Sequence, residues 1–319
     1  MCLVGEQLAR LKKRRGKGKK KNVKWLYGFA VFLFLLALVC VYIYLFQDSD
    51  FSSGEGIEVA IIDQLSITCP NTTFWHTARS IFKEEGLGTF YVQGGFDTVD
   101  FYRRLPRRGF QFIILRAHSA VSLESGDLVL FTNEEWSNSK ASTTYLADIM
   151  ADRLAMVRVE EGSQEYFGIL PNFVRVMSGN FGDTIIVMMG CDTLVNPSMA
   201  EAFIQKGAKL CIGWTGPVST EHTDVSIIHL LKHLITEKET VWEAVSKTME
   251  EVGEDPDWGG SLAWYPPEQG NLVLTEIVKS TLKNSRTNVF SVTASVPKEF
   301  SIIRRTHTYF KPNIAREQN

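Results

Sequence analysis

The sequence is poor in cysteine and has no cysteines at metal-binding spacing. Five cysteines occur in 319 residues, and none belongs to a C-x-x-C motif or to a Cys/His spacing typical of structural zinc sites. We therefore expect neither a metal site nor a bound cofactor. The body of the chain contains an odd number of cysteines: Cys69, Cys191 and Cys211. One alternative is a disulfide between Cys69 and Cys211, which would leave Cys191 free.

Basic residues are scarce outside the N-terminal region. Residues 1–24 contain ten Lys or Arg residues and one acid, whereas the rest of the chain contains 24 basic and 35 acidic residues, a formal net charge of -11. An acidic body argues against a nucleic acid as the partner. We interpret residues 1–24 as a basic arm whose role is set by the segment that follows it.

Residues 25–46 contain no charged side chain. The segment is long enough to cross the roughly 30 Å hydrocarbon core of a bilayer as a helix. Because no convincing small-x-small cleavage site follows, the pattern predicts an uncleaved transmembrane signal anchor with the lipid bilayer as partner. The basic arm lies before the span and acidic residues lie after it, which predicts a single-pass protein with a cytoplasmic N-terminus and an extracytoplasmic main domain. Residues 47–56 are polar and read as a linker.

The body alternates short apolar runs with segments of helical character, and it contains no internal repeat. The runs predict strands, and their flanking turn and capping residues predict helices between them. Repeated strand–helix units imply an α/β fold with a mostly parallel sheet covered by helices on both faces. The predicted strands span 57–63, 89–93, 110–117, 183–190 and 208–213. The predicted helices span 72–85, 97–106, 147–155, 168–178, 197–207, 224–236 and 241–252. A hairpin is predicted at 126–133, and residues 284–319 are predicted to form a C-terminal β extension.

Two reactive side chains follow directly after predicted strands. His118 follows the run that ends at Ala117, and Cys191 follows the run that ends at Gly190. In an open α/β sheet the ligand crevice lies at the carboxyl ends of the strands, so an imidazole and a thiol can meet there as base and nucleophile. The alternative is a buried cysteine and an unrelated surface histidine, since a free cysteine is often a small buried hydrophobe.

The surroundings of these residues resemble the caspase–gingipain–separase superfamily of cysteine peptidases. Met189-Gly190-Cys191 is similar to the nucleophile context of separase. Residues 199–214 look like the run of helix, Gly-Ala, strand and Trp in gingipain and CHAT-type domains, and residues 240–248 resemble the amphipathic helix that follows it. The resemblance implies a three-layer caspase-like sandwich over residues 57–283.

The resemblance also implies a chemistry. It assigns a catalytic dyad to His118 and Cys191, an oxyanion site to the backbone N–H groups of Ser119 and Cys191, and a peptide or protein as the substrate. The chain departs from the family where Ser119-Ala120 replaces a frequent glycine and where Asp192 follows the cysteine. An adjacent anion favours the neutral thiol. A catalytically inactive surface or binding module and a small-molecule hydrolase that uses Cys191 are therefore kept as alternatives.

The segment after the fifth predicted strand is expected to form one wall of a substrate pocket. We assign Asp192, Trp214, Glu221 and Asp224 to this pocket, although Trp214 is equally suited to pack at the sheet edge. Three of these side chains are acids, and a desolvated cation needs a paired anion. The sequence therefore predicts cleavage after Arg or Lys rather than after acidic residues.

Two further patterns have a plain structural interpretation. Asn71-Thr72-Thr73 is an N-glycosylation sequon, but Asn71 is also suited to cap a helix. His229 and His233 are four residues apart on one predicted helix, which is a possible metal-binding spacing. The apolar stripe of that helix puts both histidines on the solvent side, so we interpret them as surface residues.

Overall fold

The structure, a computed structural model, describes residues 57–123 and 125–274 together with Phe29, Phe32 and Leu33. The basic arm, almost all of the predicted span at 25–46, the linker, the end of the predicted 57–283 domain and the C-terminal extension lie outside the described residues. In the described part of the chain, no helix has the length and apolar character needed to cross a membrane.

Ten strands are present between residues 57 and 274. They are β1 (Ile57–Asp63), β2 (Gly88–Gln93), β3 (Phe112–Arg116), β4 (Ser119–Val121), β5 (Leu128–Glu135), β6 (Leu154–Val157), β7 (Tyr166–Ile169), β8 (Ile185–Met188), β9 (Leu210–Trp214) and β10 (Leu262–Tyr265). The large sheet has the order β10-β9-β8-β3-β1-β2. Its strands are parallel except for β10, which pairs antiparallel with β9. The predicted mostly parallel α/β sheet is confirmed.

A small antiparallel sheet of four strands, in the order β4-β5-β7-β6, lies outside the predicted pattern. The sequence predicted helices over 147–155 and 168–178, and this prediction was wrong for most of both ranges. β6 occupies 154–157, β7 occupies 166–169, and only short helices remain at 146–149 and 171–175. The two strands pair with each other, and β7 also pairs with β5, whose residues are 31–39 positions away; this tertiary pairing overrides local helix propensity.

Helices cover both faces of the large sheet. The α-helices of the described body are α1 (Thr72–Glu84), α2 (Val99–Arg104), α3 (Asn138–Ser142), α4 (Leu146–Ile149), α5 (Pro171–Arg175), α6 (Ser198–Gln205), α7 (Thr220–Leu231) and α8 (Val241–Glu251). On one face Phe112 of β3 packs against Phe82 of α1, with ring centroids 5.2 Å apart. On the other face Ile113 belongs to the same buried cluster as Tyr102 of α2 and Phe203 of α6. Alternate residues of one strand thus anchor opposite helical layers.

Side-chain hydrogen bonds cap the starts of four helices. α1 and α8 begin at their predicted residues and α2 within two residues of its predicted start, whereas α7 begins four residues before its predicted start at 224. Asn71, Thr98 and Ser219 accept hydrogen bonds from backbone N–H groups at the starts of α1, α2 and α7. Thr240 and Glu243 form a reciprocal capping box at the start of α8. These bonds satisfy N–H groups that have no partner within the helix.

Helix α7 continues into a π-helical turn at Lys232–Thr236. His233, which was predicted to face solvent, is only 5% exposed, so that prediction was wrong. A π-helical turn uses i→i+5 hydrogen bonds. Ser226, Leu230 and His233 are all buried and follow one another at spacings of four and three residues, so His233 lies on the buried face of the helix.

The three cysteines of the body are free thiols. Cys211 is completely buried in the core between the large sheet and α6, where its sulfur lies 4.0 Å from the carbonyl oxygen of Ala200. The alternative of a disulfide between Cys69 and Cys211 was wrong. The Cys211 side chain is enclosed by core residues and is not paired with another thiol.

Candidate active site

The predicted base and nucleophile lie at the ends of neighbouring strands. β3 and β8 are adjacent and parallel, with Leu115 opposite Met188, so the chain leaves both strands at the same edge of the large sheet. The hydroxyl of Ser119 donates a hydrogen bond of 2.6 Å to the backbone carbonyl of Cys191. The segments that carry His118 and Cys191 are therefore in direct contact.

A glycine permits this close approach. A Cβ atom at Gly190 would lie 2.3 Å from the Ser119 hydroxyl oxygen and 2.5 Å from the Ala117 carbonyl oxygen. Both distances are far below van der Waals contact, so any side chain at this position would push the two strand ends apart. The requirement for glycine comes from the packing of the two segments, and the sequence pattern did not predict it.

The thiol of Cys191 is half-buried beneath the segment that follows β9. The Val218 N–H donates to the sulfur over 3.5 Å, and the Val218 carbonyl oxygen lies 3.4 Å from it. Burial raises the pKa of the Cys191 thiol, and the Asp192 and Asp255 carboxylates raise it further, while the hydrogen bond from Val218 acts in the opposite direction. The thiol therefore favours its neutral form in this state.

The backbone of His118 is fixed on both sides. Its N–H donates to the Gln64 side-chain oxygen over 3.0 Å, and its carbonyl accepts from Phe131 N–H over 3.0 Å. Burial lowers the pKa of the His118 imidazole, and the positive charge of Arg116 lowers it further. Among the described residues no hydrogen bond joins the His118 ring to Cys191, so direct contact between the two side chains stays a prediction.

The backbone of Ser119 is oriented in a way that fits the predicted oxyanion role. Phe131 N–H donates to His118 C=O, whereas the His118 N–H bonds Gln64, so this position just before β4 carries one of the two bonds of a hydrogen-bonded pair. Hydrogen-bonded and non-hydrogen-bonded pairs alternate along an antiparallel ladder, and the next pair is Ser119 with Leu130. The N–H group of Ser119 therefore faces away from β5.

The predicted pocket residues do not form one group. Trp214 is completely buried, and its indole N–H donates to Thr223 over 3.0 Å, so it is a core residue and does not line an open pocket. Asp192 is half-buried with a positive φ of 59°, and Glu221 is exposed on the first turn of α7. Only Asp192 adjoins Cys191 in the chain, and it is the acid that acts on the pKa of the thiol.

Asp224 lies in a buried charge cluster. Its carboxylate accepts two hydrogen bonds, of 2.7 and 2.8 Å, from the Arg116 guanidinium, which also binds Asp63 at 2.8 Å. Arg116 and Asp63 are each 1% exposed or less. The charge of Asp224 is therefore paired within the protein, and the prediction that it serves as a free pocket acid was wrong.

Asn71 uses both ends of its side-chain amide. Its oxygen caps α1 by accepting from Phe74 N–H over 3.0 Å, and its nitrogen donates to Asp224 over 2.9 Å. The capping role is confirmed. A glycan would replace one of the two hydrogens on the nitrogen that donates to Asp224, and glycosylation stays a prediction.

Sequence reasoning did not identify Asp255 as part of this site. The carboxylate of Asp255 accepts from both the N–H and the hydroxyl of Ser219 over 2.8 Å, and from the N–H groups of Asp257 and Trp258. It thereby fixes the residue next to Val218, whose backbone contacts the thiol. An Asp followed by Pro and Asp reads as an ordinary turn, so the sequence carried no signal of this link.

The comparisons with known proteins place the chain in no family. No protein-family model matches the sequence, and no curated protein matches it significantly. The strand ends and the chemistry of the side chains found there are therefore the features that bear on function.

Proposed function

We propose that this chain is a membrane-anchored cysteine endopeptidase with a three-layer caspase/gingipain-like domain and a His118/Cys191 dyad. The observation that carries the proposal is the hydrogen bond between Ser119 and Cys191, which joins the ends of β3 and β8. This contact brings an imidazole-bearing and a thiol-bearing segment together at the strand edge where α/β proteins bind ligands.

The proposed reaction uses the two side chains in turn. The Cys191 thiol gives its proton to the neutral imidazole of His118, and the sulfur forms a bond to the scissile carbonyl carbon. The C–N bond then breaks as the imidazolium gives that proton to the leaving amine. Water, deprotonated by the imidazole, hydrolyses the thioester and restores the thiol. A lowered histidine pKa suits this scheme, since the imidazole begins as the free base.

Backbone groups supply the oxyanion site in this proposal. The Ser119 N–H faces away from the β5 ladder, and the Ser119 hydroxyl bonds the Cys191 carbonyl, so this N–H belongs to the segment that contacts the proposed nucleophile residue. A preorganised donor acts where negative charge develops and needs no rearrangement during the reaction. The Cys191 N–H is the second proposed donor.

The proposed preference for Arg or Lys in the substrate now depends on fewer acids. Asp192 follows the nucleophile, and Glu221 lies on the exposed first turn of α7. Asp224 is excluded because Arg116 neutralises it. Of the two remaining acids, Asp192 is the closer in sequence to the reacting sulfur and is the proposed main determinant.

A second candidate function is a catalytically inactive binding module on the same fold. The raised pKa of the Cys191 thiol favours it, as does the bonding of the sulfur to the Val218 backbone rather than to an imidazole. Proton transfer in the peptidase proposal would require the two side chains to approach each other when substrate binds.

Substitution of the dyad separates the two candidates. Cys191→Ala and His118→Ala in the purified full-length chain should each lower peptide hydrolysis by at least about 10³-fold, because the two groups act as a unit. Cys69→Ala is the matched control, since it removes another partly exposed thiol that the mechanism does not use. Peptide-library profiling with folding checked by circular dichroism is the measurement. A folded wild-type protein without turnover would leave the binding module as the function.

A further inference from the structure

A histidine and three glutamates meet at the end of α7. His233 lies in the π-helical turn, Glu237 and Glu239 follow that turn, and Glu251 lies at the end of α8. His233 Nδ1 lies 2.9 Å from Glu237 Oε2 and 3.2 Å from Glu239 Oε2. On the other side of the ring, His233 Nε2 lies 3.2 Å from Glu251 Oε2. The imidazole is buried, whereas Glu237 and Glu251 are about half-exposed, with side-chain exposures of 50% and 45%.

The cluster leaves one buried oxygen without a hydrogen bond. Two carboxylates converge on Nδ1, but that nitrogen carries at most one proton, and the proton is shared with Glu237. Glu239 Oε2 is buried and has no hydrogen-bond partner among the described residues, while its other oxygen binds Lys247. A buried unpaired carboxylate oxygen is costly, and a metal cation at this point would satisfy all three donor atoms at once.

The spacing of the donor atoms suits a small divalent ion. Their mutual separations are all within 4.8 Å. Ligand atoms about 2.0–2.1 Å from a tetrahedral Zn²⁺ are about 3.3 Å apart, which is close to the observed contacts of Nδ1 with both carboxylates. Imidazole nitrogen and carboxylate oxygen are both ordinary zinc ligands, and the exposed side of Glu237 leaves room for a water molecule as the fourth ligand.

The second nitrogen of the ring already has the partner that metal-binding histidines use. His233 Nε2 donates to Glu251, and Glu251 also binds His229 Nδ1 over 2.7 Å. A carboxylate on the far side of an imidazole fixes the ring and raises its basicity toward a metal. The arrangement therefore contains both the inner ligands and the group that orients one of them.

We propose that His233, Glu237 and Glu239 bind one divalent transition-metal ion, with Zn²⁺ as the best fit, and that Glu251 positions the imidazole. On binding, the metal replaces the Nδ1 proton, which leaves to solvent, and the imidazole becomes neutral. The ion connects the π-helical turn to the loop before α8. Its ligands are distant in sequence from His118 and Cys191 and take no part in the proposed peptidase reaction. The proposal departs from the expectation, drawn from the sequence, that the chain binds no metal.

The test is calorimetric titration of the metal-free full-length protein with Zn²⁺. Wild-type protein should bind one ion per chain. Glu237→Gln and Glu239→Gln should weaken binding by more than the 10–100-fold expected for Glu251→Gln, which removes only the group that orients the ring. Glu250→Gln is the matched control, because it removes an exposed α8 carboxylate outside the cluster and should leave affinity unchanged.

Binding at one equivalent that is lost in the two ligand variants and kept in Glu250→Gln supports the proposal. Absence of stoichiometric binding to the wild-type protein overturns it, and so does a Glu237→Gln or Glu239→Gln variant that binds Zn²⁺ as the wild type does. Glu237 is half-exposed, so its substitution tests binding without loss of the fold, which circular dichroism checks.

Discussion

At the scale of single residues, the candidate dyad is held in its neutral form. Burial raises the pKa of the Cys191 thiol and lowers that of the His118 imidazole, and each group is also acted on by a neighbouring charge of the unfavourable sign. Both shifts favour a thiol beside a free imidazole over a thiolate–imidazolium ion pair. The resting protein is therefore expected to be a poor target for thiol reagents.

Alkylation of Cys191 should be slow at neutral pH and should accelerate about tenfold per pH unit until the raised pKa is reached, because only the thiolate reacts. Removal of the neighbouring anion in Asp192→Asn should speed the reaction at fixed pH by up to about fivefold, which corresponds to about 1 kcal/mol. Mass spectrometry of the Cys191 peptide after iodoacetamide treatment measures the rate. The same peptide in denatured protein is the reference, and a fast rate that does not change across neutral pH would contradict the expectation.

At the scale of secondary-structure elements, a buried charge cluster links two strands to a helix. Arg116 ends β3, Asp63 ends β1, and Asp224 lies in α7; the three side chains are joined by hydrogen bonds of 2.7–2.8 Å. The guanidinium also donates to the Cys69 carbonyl over 2.9 Å. This one side chain therefore connects the carboxyl edge of the large sheet to two of the segments that surround it.

Arg116→Met should destabilise the protein by about 3–5 kcal/mol, because it leaves two buried carboxylates without their counter-charge. Arg175→Met is the matched control, since Arg175 is exposed and should change stability by no more than about 0.5 kcal/mol. Urea unfolding of both variants measures the difference. Equal stabilities would show that the buried cluster contributes no more than a surface arginine.

Elements defined by local signals were predictable from the sequence. Apolar runs predicted the parallel strands, and the capping residues Asn71 and Thr98 predicted the starts of α1 and α2. The Ser219 cap of α7 was not recognised, and the predicted start at 224 was four residues too late. The small sheet was not predictable, because β7 pairs on its other side with β5, whose residues are 31–39 positions away in sequence. The π-helical turn was also missed, since a change of helical register depends on tertiary packing.

The candidate site was predictable only in part for the same reason. The strand rule predicted that His118 and Cys191 lie at one edge of the large sheet, and their strands are neighbours. Asp224 was misassigned because its partner, Arg116, is 108 residues away in sequence. The bonds from Asp255 to Ser219 were missed for the same reason: nothing in the local sequence pattern specifies a partner that the folded chain brings close.

At the scale of the whole molecule, charge is unevenly distributed between the arm and the remainder. Ten basic residues precede the uncharged segment 25–46, and the rest of the chain has a formal net charge of -11. This asymmetry supports the proposed orientation, with the arm in the cytoplasm and the body outside it.

Protease treatment of intact cells that express the full chain should remove the body and leave the N-terminal arm protected. The reason is that a bilayer excludes the protease from the arm but not from an extracytoplasmic domain. Immunoblotting with separate tags on the two ends measures this, and lysed cells are the control in which both ends are cleaved. A body that is cleaved only after lysis would reverse the proposed topology.

The chain changes sheets between Arg116 and Ser119: β3 of the large sheet ends, and β4 of the small sheet begins. His118 is thus the junction residue, with its backbone bonded to Gln64 beyond β1 on one side and to Phe131 of β5 on the other. Cys191 follows a strand of the large sheet, and its carbonyl accepts a hydrogen bond from Ser119, the first residue of the small sheet. The relative placement of the imidazole-bearing and thiol-bearing backbone segments therefore depends on how the two sheets are joined at residues 117–119.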